Sequence, residues 1–143
     1  YVSYPFHELP DDLTPEQRLK KLMPVNDTRR DEIWQQQNPD MVEKMVEFTK
    51  AQAIDEHQTK AFRDGARRQL LARAKHDVQG SLGEIRARTL ICAGKYDGIA
   101  PAENQHALQE GINDAELKWY EGGHLFMIQD KQAWVDILNF LAE

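Results

Sequence analysis

The chain has 143 residues, of which 18 are Lys or Arg and 24 are Asp or Glu, giving a formal net charge of −6. That acidic balance argues against nucleic acid or an anionic membrane as partner, since either needs clustered cations. With 41% hydrophobic residues and one cysteine, it is long enough to bury the core of an ordinary domain but can form no intrachain disulfide or thiol cluster.

No uninterrupted apolar run is long enough to span a bilayer, and the N-terminus lacks the basic and then hydrophobic order of a signal peptide. The expected setting is the cytoplasm. The chain begins at Tyr1 rather than Met, so a segment upstream is expected.

From Thr14 to about His76 the sequence reads as helix, with proline where helices start or stop. In "TPEQ", Thr14 is placed for an N-cap, Pro15 for the first helical position, and Gln17 to complete a capping box. "NPDM" repeats the device with Asn38 and Pro39, and Val42, Met45, Val46 and Phe48 or Thr49 follow at the spacing of one helical face. Ala61, Phe62, Ala66, Leu70, Leu71 and Ala74 mark a further helix, whose other side carries Arg63, Arg67, Arg68, Arg73 and Lys75. A solvated face accounts for those cations, with contact to a phosphate or acidic substrate as the alternative.

After Gly80 the pattern becomes strand, helix, strand, helix. Thr89 to Ala93 is apolar without alternation, as in a strand covered on both faces of a parallel sheet. A helix follows from Pro101 to near Gly111, with Ala102, Ala107, Leu108 and Ile112 inward, and then a strand in "AELKWY" with Leu117 and Trp119 on one face. The closing helix places Trp134, Ile137, Leu138 and Leu141 on one stripe. The division falls at about residue 80: a helical segment, 1–80, and an α/β segment, 81–143.

In parallel sheets the carboxyl ends of the strands form the functional edge. Asp97, in "GKYDG", leaves the first strand there and His124, in "EGGHLF", leaves the second. Such a pair lets the carboxylate fix the imidazole's tautomer and steady its charged form during proton transfer. Gly122 and Gly123 fit a loop that bends sharply before His124, and Gly98 follows Asp97. Each residue alone reads more simply, Asp-Gly as a turn and His as a surface residue. Their joint position carries the reading. His7, His57 and His106 fall in segments that read as exposed, none at metal-ligand spacing, and "AKHDV" marks the exit from the helical region. "GKYD" lacks the glycine and the Ser or Thr of a phosphate loop.

Residues 82 to 142 resemble the C-terminal end of an α/β-hydrolase: strand, acid, helix, strand, glycine, histidine and final helix arrive in that family's order. The resemblance implies an α/β fold with a helical lid before it, and a hydrolase of esters, lactones or similar carbonyls needing neither cofactor nor metal. It makes Asp97 the triad acid and His124 the general base. That family carries its nucleophile on a G-x-S-x-G elbow. The only serines, Ser3 and Ser81, lack the elbow's glycine pair, two residues before and two after, so the nucleophile is expected upstream of Tyr1, as Ser or, in halide-removing and epoxide-opening relatives, Asp. Trp34, Met45, Phe48, Phe62 and Phe126 are the candidate pocket residues, with core packing as the plainer role for each. The half-covered strand at Leu90 and Ile91 calls for the missing half or a second copy as partner. The alternative function is a non-catalytic binding or dimerisation module.

Overall fold

Thr14 and Gln17 cap the start of the first helix as their spacing predicts. Gln17 N donates to Thr14 Oγ1 at 3.2 Å and Thr14 N to Gln17 Oε1 at 2.9 Å, opening α1 (Pro15–Asn26). The computed structural model describes residues 3–51 and 59–143, and His57 lies outside them. Pro24 stands inside α1 rather than at its end. Proline removes one helical N–H and frees the carbonyl four residues earlier. That carbonyl, on Lys20, accepts Gln35 Nε2 at 3.2 Å.

Asp31 caps α2 (Glu32–Gln37) by accepting Trp34 N at 2.8 Å. Asn38 turns back and donates Nδ2 to Trp34 O at 2.8 Å, so it satisfies the end of α2, while α3 (Pro39–Ala51) starts at Pro39 as expected. Met23, Val42 and Val46 are buried together, with Leu19, Trp34 and Met45 packed around them. α4 (Lys60–Ala74), capped by Thr59, has no fully buried residue, and both Phe62 and Leu71 are exposed. Its basic side is partly used at home: Arg67 pairs with Asp11 at 3.2 Å and Arg73 lies over the Phe6 ring at 5.3 Å.

Beyond a 3₁₀ turn at Gln79–Glu84, β1 (Leu90–Gly94) pairs in parallel with β2 (Glu116–Tyr120), Leu90 opposite Glu116 and Gly94 opposite Tyr120. α5 (Ala102–Gly111) makes the crossover that parallel strands require. α6 (Phe126–Gln129) and α7 (Gln132–Ala142) complete the described elements.

The expected α/β fold, as the C-terminal part of a hydrolase, is overturned. The described residues are predominantly helical, with strand only in two five-residue segments that form one two-stranded sheet. The reason lies in the periodicity: only 90–94 and 116–120 carry a strand, and every other regular stretch follows a helical repeat. Ile91 is nonetheless buried, and Leu90 half-buried, with no third strand among the described residues. α5 and α7 pack against β1.

Inner faces also differ from expectation. α5 buries Asn104 and Gln105, and Ala102 is exposed. Gln105 belongs inside because its amide donates to Ala100 O at 3.2 Å. On β2 the buried residue is Tyr120, whose hydroxyl donates to Asp136 Oδ2 at 3.1 Å. On α7 Ala133 is buried and Ile137 half-buried, whereas Trp134, Leu138 and Leu141 face out.

The chain divides into two units. One gathers Val25–Arg29 with Asp77–Glu143, and the other comprises Pro5–Pro24 and Arg30–His76. The short segment Val25–Arg29, between α1 and α2 in sequence, thus belongs with the strands.

Candidate functional site

The loops that leave β1 and β2 are tied to each other before any side chain is considered. Lys95 N donates to Tyr120 O at 3.0 Å and Tyr96 N to Gly122 O at 2.9 Å. Gly94 and Gly123 allow the approach: a Cβ on Gly94 would strike the carbonyl oxygens of Gly122 and Gly123, and one on Gly123 would strike Asn26 O and lie 2.8 Å from Asp27 Cα. No glycine here has positive φ, so close contact between backbones, not unusual dihedrals, is what demands them.

Asp97 follows directly. Its Oδ1 accepts Ile99 N at 2.8 Å and Ala100 N at 3.0 Å, which fixes the carboxylate plane and leaves Oδ2 for another donor. His124 Nδ1 lies 2.9 Å from that Oδ2. An ionised carboxylate can only accept, so in the neutral ring this contact calls for the proton on Nδ1 and leaves the lone pair on Nε2. The Asp97 side chain is 8% exposed and that of His124 43%, which buries the acid behind the base. Nε2 has no partner among the described residues. Below the ring, His124 N donates to Asn26 O at 2.6 Å.

No protein-family model and no curated protein matches the chain. The chemistry of the site is therefore read from its own atoms. A histidine held by a buried carboxylate at one nitrogen and open at the other can take a proton from a nucleophile and return it to a leaving group.

A nucleophile is not evident beside Nε2. Ser81 is exposed in the 3₁₀ turn, and no described serine, threonine or cysteine is hydrogen-bonded to the His124 ring. Cys92 is held 3.9 Å from Tyr120 Oη, and burial pushes its thiol above its ordinary pKa, which disfavours the reactive thiolate. Burial also raises the Tyr120 phenol, reinforced by Cys92 and Asp136. Among the described residues no group of three or more His, Cys, Asp or Glu could hold a metal ion, and no helix is long and apolar enough to cross a membrane.

The candidate pocket residues lie apart from one another in kind. Phe126 stacks on Tyr120, with ring centroids 5.3 Å apart and planes 7° from parallel, so it packs the strand end beside the dyad. Trp34 and Met45 pack about the Met23 cluster, and Met45 Sδ lies 3.8 Å from Arg30 Nη1. Phe48 and Phe62 are exposed. The helical unit has an open cavity of about 560 Å³ between α1, α2 and α3, lined by residues including Glu16, Lys20, Gln35, Val42, Val46 and Lys50 but by none of the five candidates.

Three residues that sequence reasoning missed support the site. Asp27, 2% exposed, takes Arg29 in a bidentate pair, Nε to Oδ1 at 2.9 Å and Nη2 to Oδ2 at 2.7 Å, and also accepts Gln129 Nε2 at 3.1 Å. Burial alone would raise the Asp27 pKa. The hydrogen bonds and charge of Arg29, joined by Gln129, outweigh it and hold the carboxyl below its ordinary value. In sequence, "NDTRR" gives only a polar link between helices, with no signal that its acid is buried.

Proposed function

We propose that this chain supplies the acid and the base of a serine-type hydrolase acting on an ester, lactone or similar carbonyl, with its nucleophile carried by residues upstream of Tyr1. The 2.9 Å contact between a buried Asp97 and a half-exposed His124, with Nε2 open, is the observation that supports it most directly. The order of strand, acid, glycine pair and histidine, which resembles that of α/β-hydrolases, supports the same chemistry; the fold once expected from it is not part of the proposal.

In this reading the upstream hydroxyl binds Nε2, which removes its proton as oxygen attacks the carbonyl carbon. The ring then carries positive charge, balanced by Asp97, and gives the proton to the departing alkoxide. Water enters next. His124 deprotonates it as its oxygen adds to the acyl carbon, the acyl–oxygen bond to the nucleophile then breaks, and the regenerated hydroxyl takes the proton back from the ring. No metal or redox partner is required by these steps. A cytoplasmic setting belongs to the same proposal and fits the single free cysteine, Cys92.

Hydrolysis of a small activated ester by the chain joined to its upstream coding sequence is the test. His124→Ala should lower kcat by roughly 10²–10⁴. Asp97→Asn, which lets the ring adopt the wrong tautomer, should lower it by about 10⁴. Unchanged turnover in His124→Ala would overturn the proposal.

A second reading, an assembly module, draws on one observation. Trp134, Leu138 and Leu141 form an outward apolar stripe on α7, 50%, 61% and 73% exposed, on the unit whose β1 has one strand neighbour among the described residues. The upstream half and a second copy are the two partners that would cover it. A stable dimer of the 143-residue chain, with no hydrolysis by the longer product, would favour this reading over the first.

A further inference from the structure

The loop that carries His124 is held from behind by a second buried carboxylate. Gly123 N donates to Gln129 Oε1 at 2.7 Å, and Gln129 Nε2 donates to Asp27 Oδ2 at 3.1 Å. Asp27 also accepts Arg29 N at 3.1 Å, besides the two guanidinium bonds. The guanidinium carbon lies 4.1 Å from the centroid of the Tyr96 ring, in the loop of Asp97. Tyr96 in turn accepts Thr28 N at its carbonyl, 2.9 Å, and donates its own N–H to Gly122 O. Segment Val25–Arg29, the acid loop and the histidine loop therefore form one closed circuit.

We propose that Asp27, through Arg29 and Gln129, is the positioning residue that sets the His124 ring against Asp97. The inference rests on the dyad reading above and adds a second acid to it.

The carboxylate's acceptor-only character is what makes the circuit directional. A carboxylate cannot donate, so the Gln129 amide must turn Nε2 toward Asp27, which leaves Oε1 facing the Gly123 N–H. A group able to donate as well as accept, such as a carboxamide or a protonated carboxyl, would let the amide turn over and release the glycine just before the histidine. Four N–H groups converge on Asp27, a number that packing alone does not call for: a buried charge is retained at a cost that an apolar residue of like volume would avoid. Gly122 and Gly123 have no side chains, and their other bonds are between backbones: Tyr96 N to Gly122 O, Gly122 N to Tyr120 O and Phe126 N to Gly123 O, with His124 N to Asn26 O next. Among the described residues the side-chain hold on the two glycines comes from Gln129. Besides Asp97, the charged groups nearest these loops in sequence or contact include Asp27 and Arg29, the ion pair of Lys95 with Glu121, and Asp130, which accepts Glu121 N at 2.9 Å. None of the latter three is bonded to residues 122–124.

The experiment uses the 143-residue chain labelled with ¹⁵N in its histidine rings, so the readout does not depend on turnover. In the unaltered chain His124 should give a single Nδ1–H tautomer with a downfield proton. Asp27→Ala, at a temperature where far-UV circular dichroism still reports native helix, should lose that signal and show both tautomers. Gln129→Ala keeps the Asp27–Arg29 pair, is the decisive variant if Asp27→Ala does not fold, and should give the same loss. Arg88→Ala, which breaks the exposed Arg88–Glu143 pair, should leave the signal intact. A folded Gln129→Ala or Asp27→Ala with an undiminished Nδ1–H signal would overturn the positioning role while leaving the dyad standing. Loss of the signal in Arg88→Ala would overturn it too, by showing that destabilisation of any origin suffices. Absence of the signal from the unaltered chain would remove the dyad and this inference together.

Discussion

Four N–H groups meet at Asp27, and the chain's response to acid should be read there first. Its carboxyl is held below the ordinary value, so its contribution to stability is present above the unfolded value of about 3.9 and is lost as pH falls through the lower, folded one. Asp27→Asn leaves donors unpaired and should cost about 1–3 kcal/mol at neutral pH. Urea unfolding of the two chains, repeated from pH 7 downward, should show this gap closing as Asp27 in the parent becomes protonated. A gap that stays constant into strong acid would mean that the charge at Asp27 contributes nothing. Asp97 and His124 were legible because both stand at strand ends in a recognisable order. Asp27 was not, since its burial depends on Gln129, 102 residues away. Local pattern carries no trace of a contact at that separation.

Helix starts are the most legible elements, because a cap is a local hydrogen bond between residues three apart. Thr14 and Gln17 satisfy each other's N–H groups, as their types and spacing suggest. Thr14→Ala should therefore cost about 1 kcal/mol, measured as a lower urea midpoint with an unchanged slope. Unchanged stability would mean that water serves the end of α1 equally well. Inner faces were less legible than starts. Sequence places Leu138 and Trp134 inward on α7, yet the sheet that would receive a wide apolar face has only two strands, and Ala133 and Ile137 take the inward positions. Pro24 was misread for a similar reason: the acceptor it leaves open is served by Gln35, from a different helix.

At the scale of the whole molecule, the helices α1 to α4 and the parallel pairing of two strands were both visible in periodicity, whereas the α/β fold inferred from resemblance was not realised. A motif order can be shared by chains whose sheets differ, because it records the sequence of local elements and not how many strands gather around them. The Asp97–His124 contact does not depend on that fold, since it needs two parallel strand ends and the loops they hold together. The most direct test is the proton on the His124 ring, read by ¹⁵N spectroscopy of the unaltered chain beside Asp97→Asn. The parent should show an Nδ1–H ring with an open Nε2, and the variant a changed tautomer balance. A His124 ring protonated on Nε2, or one that shifts freely between both forms and is indifferent to Asp97, would contradict the dyad.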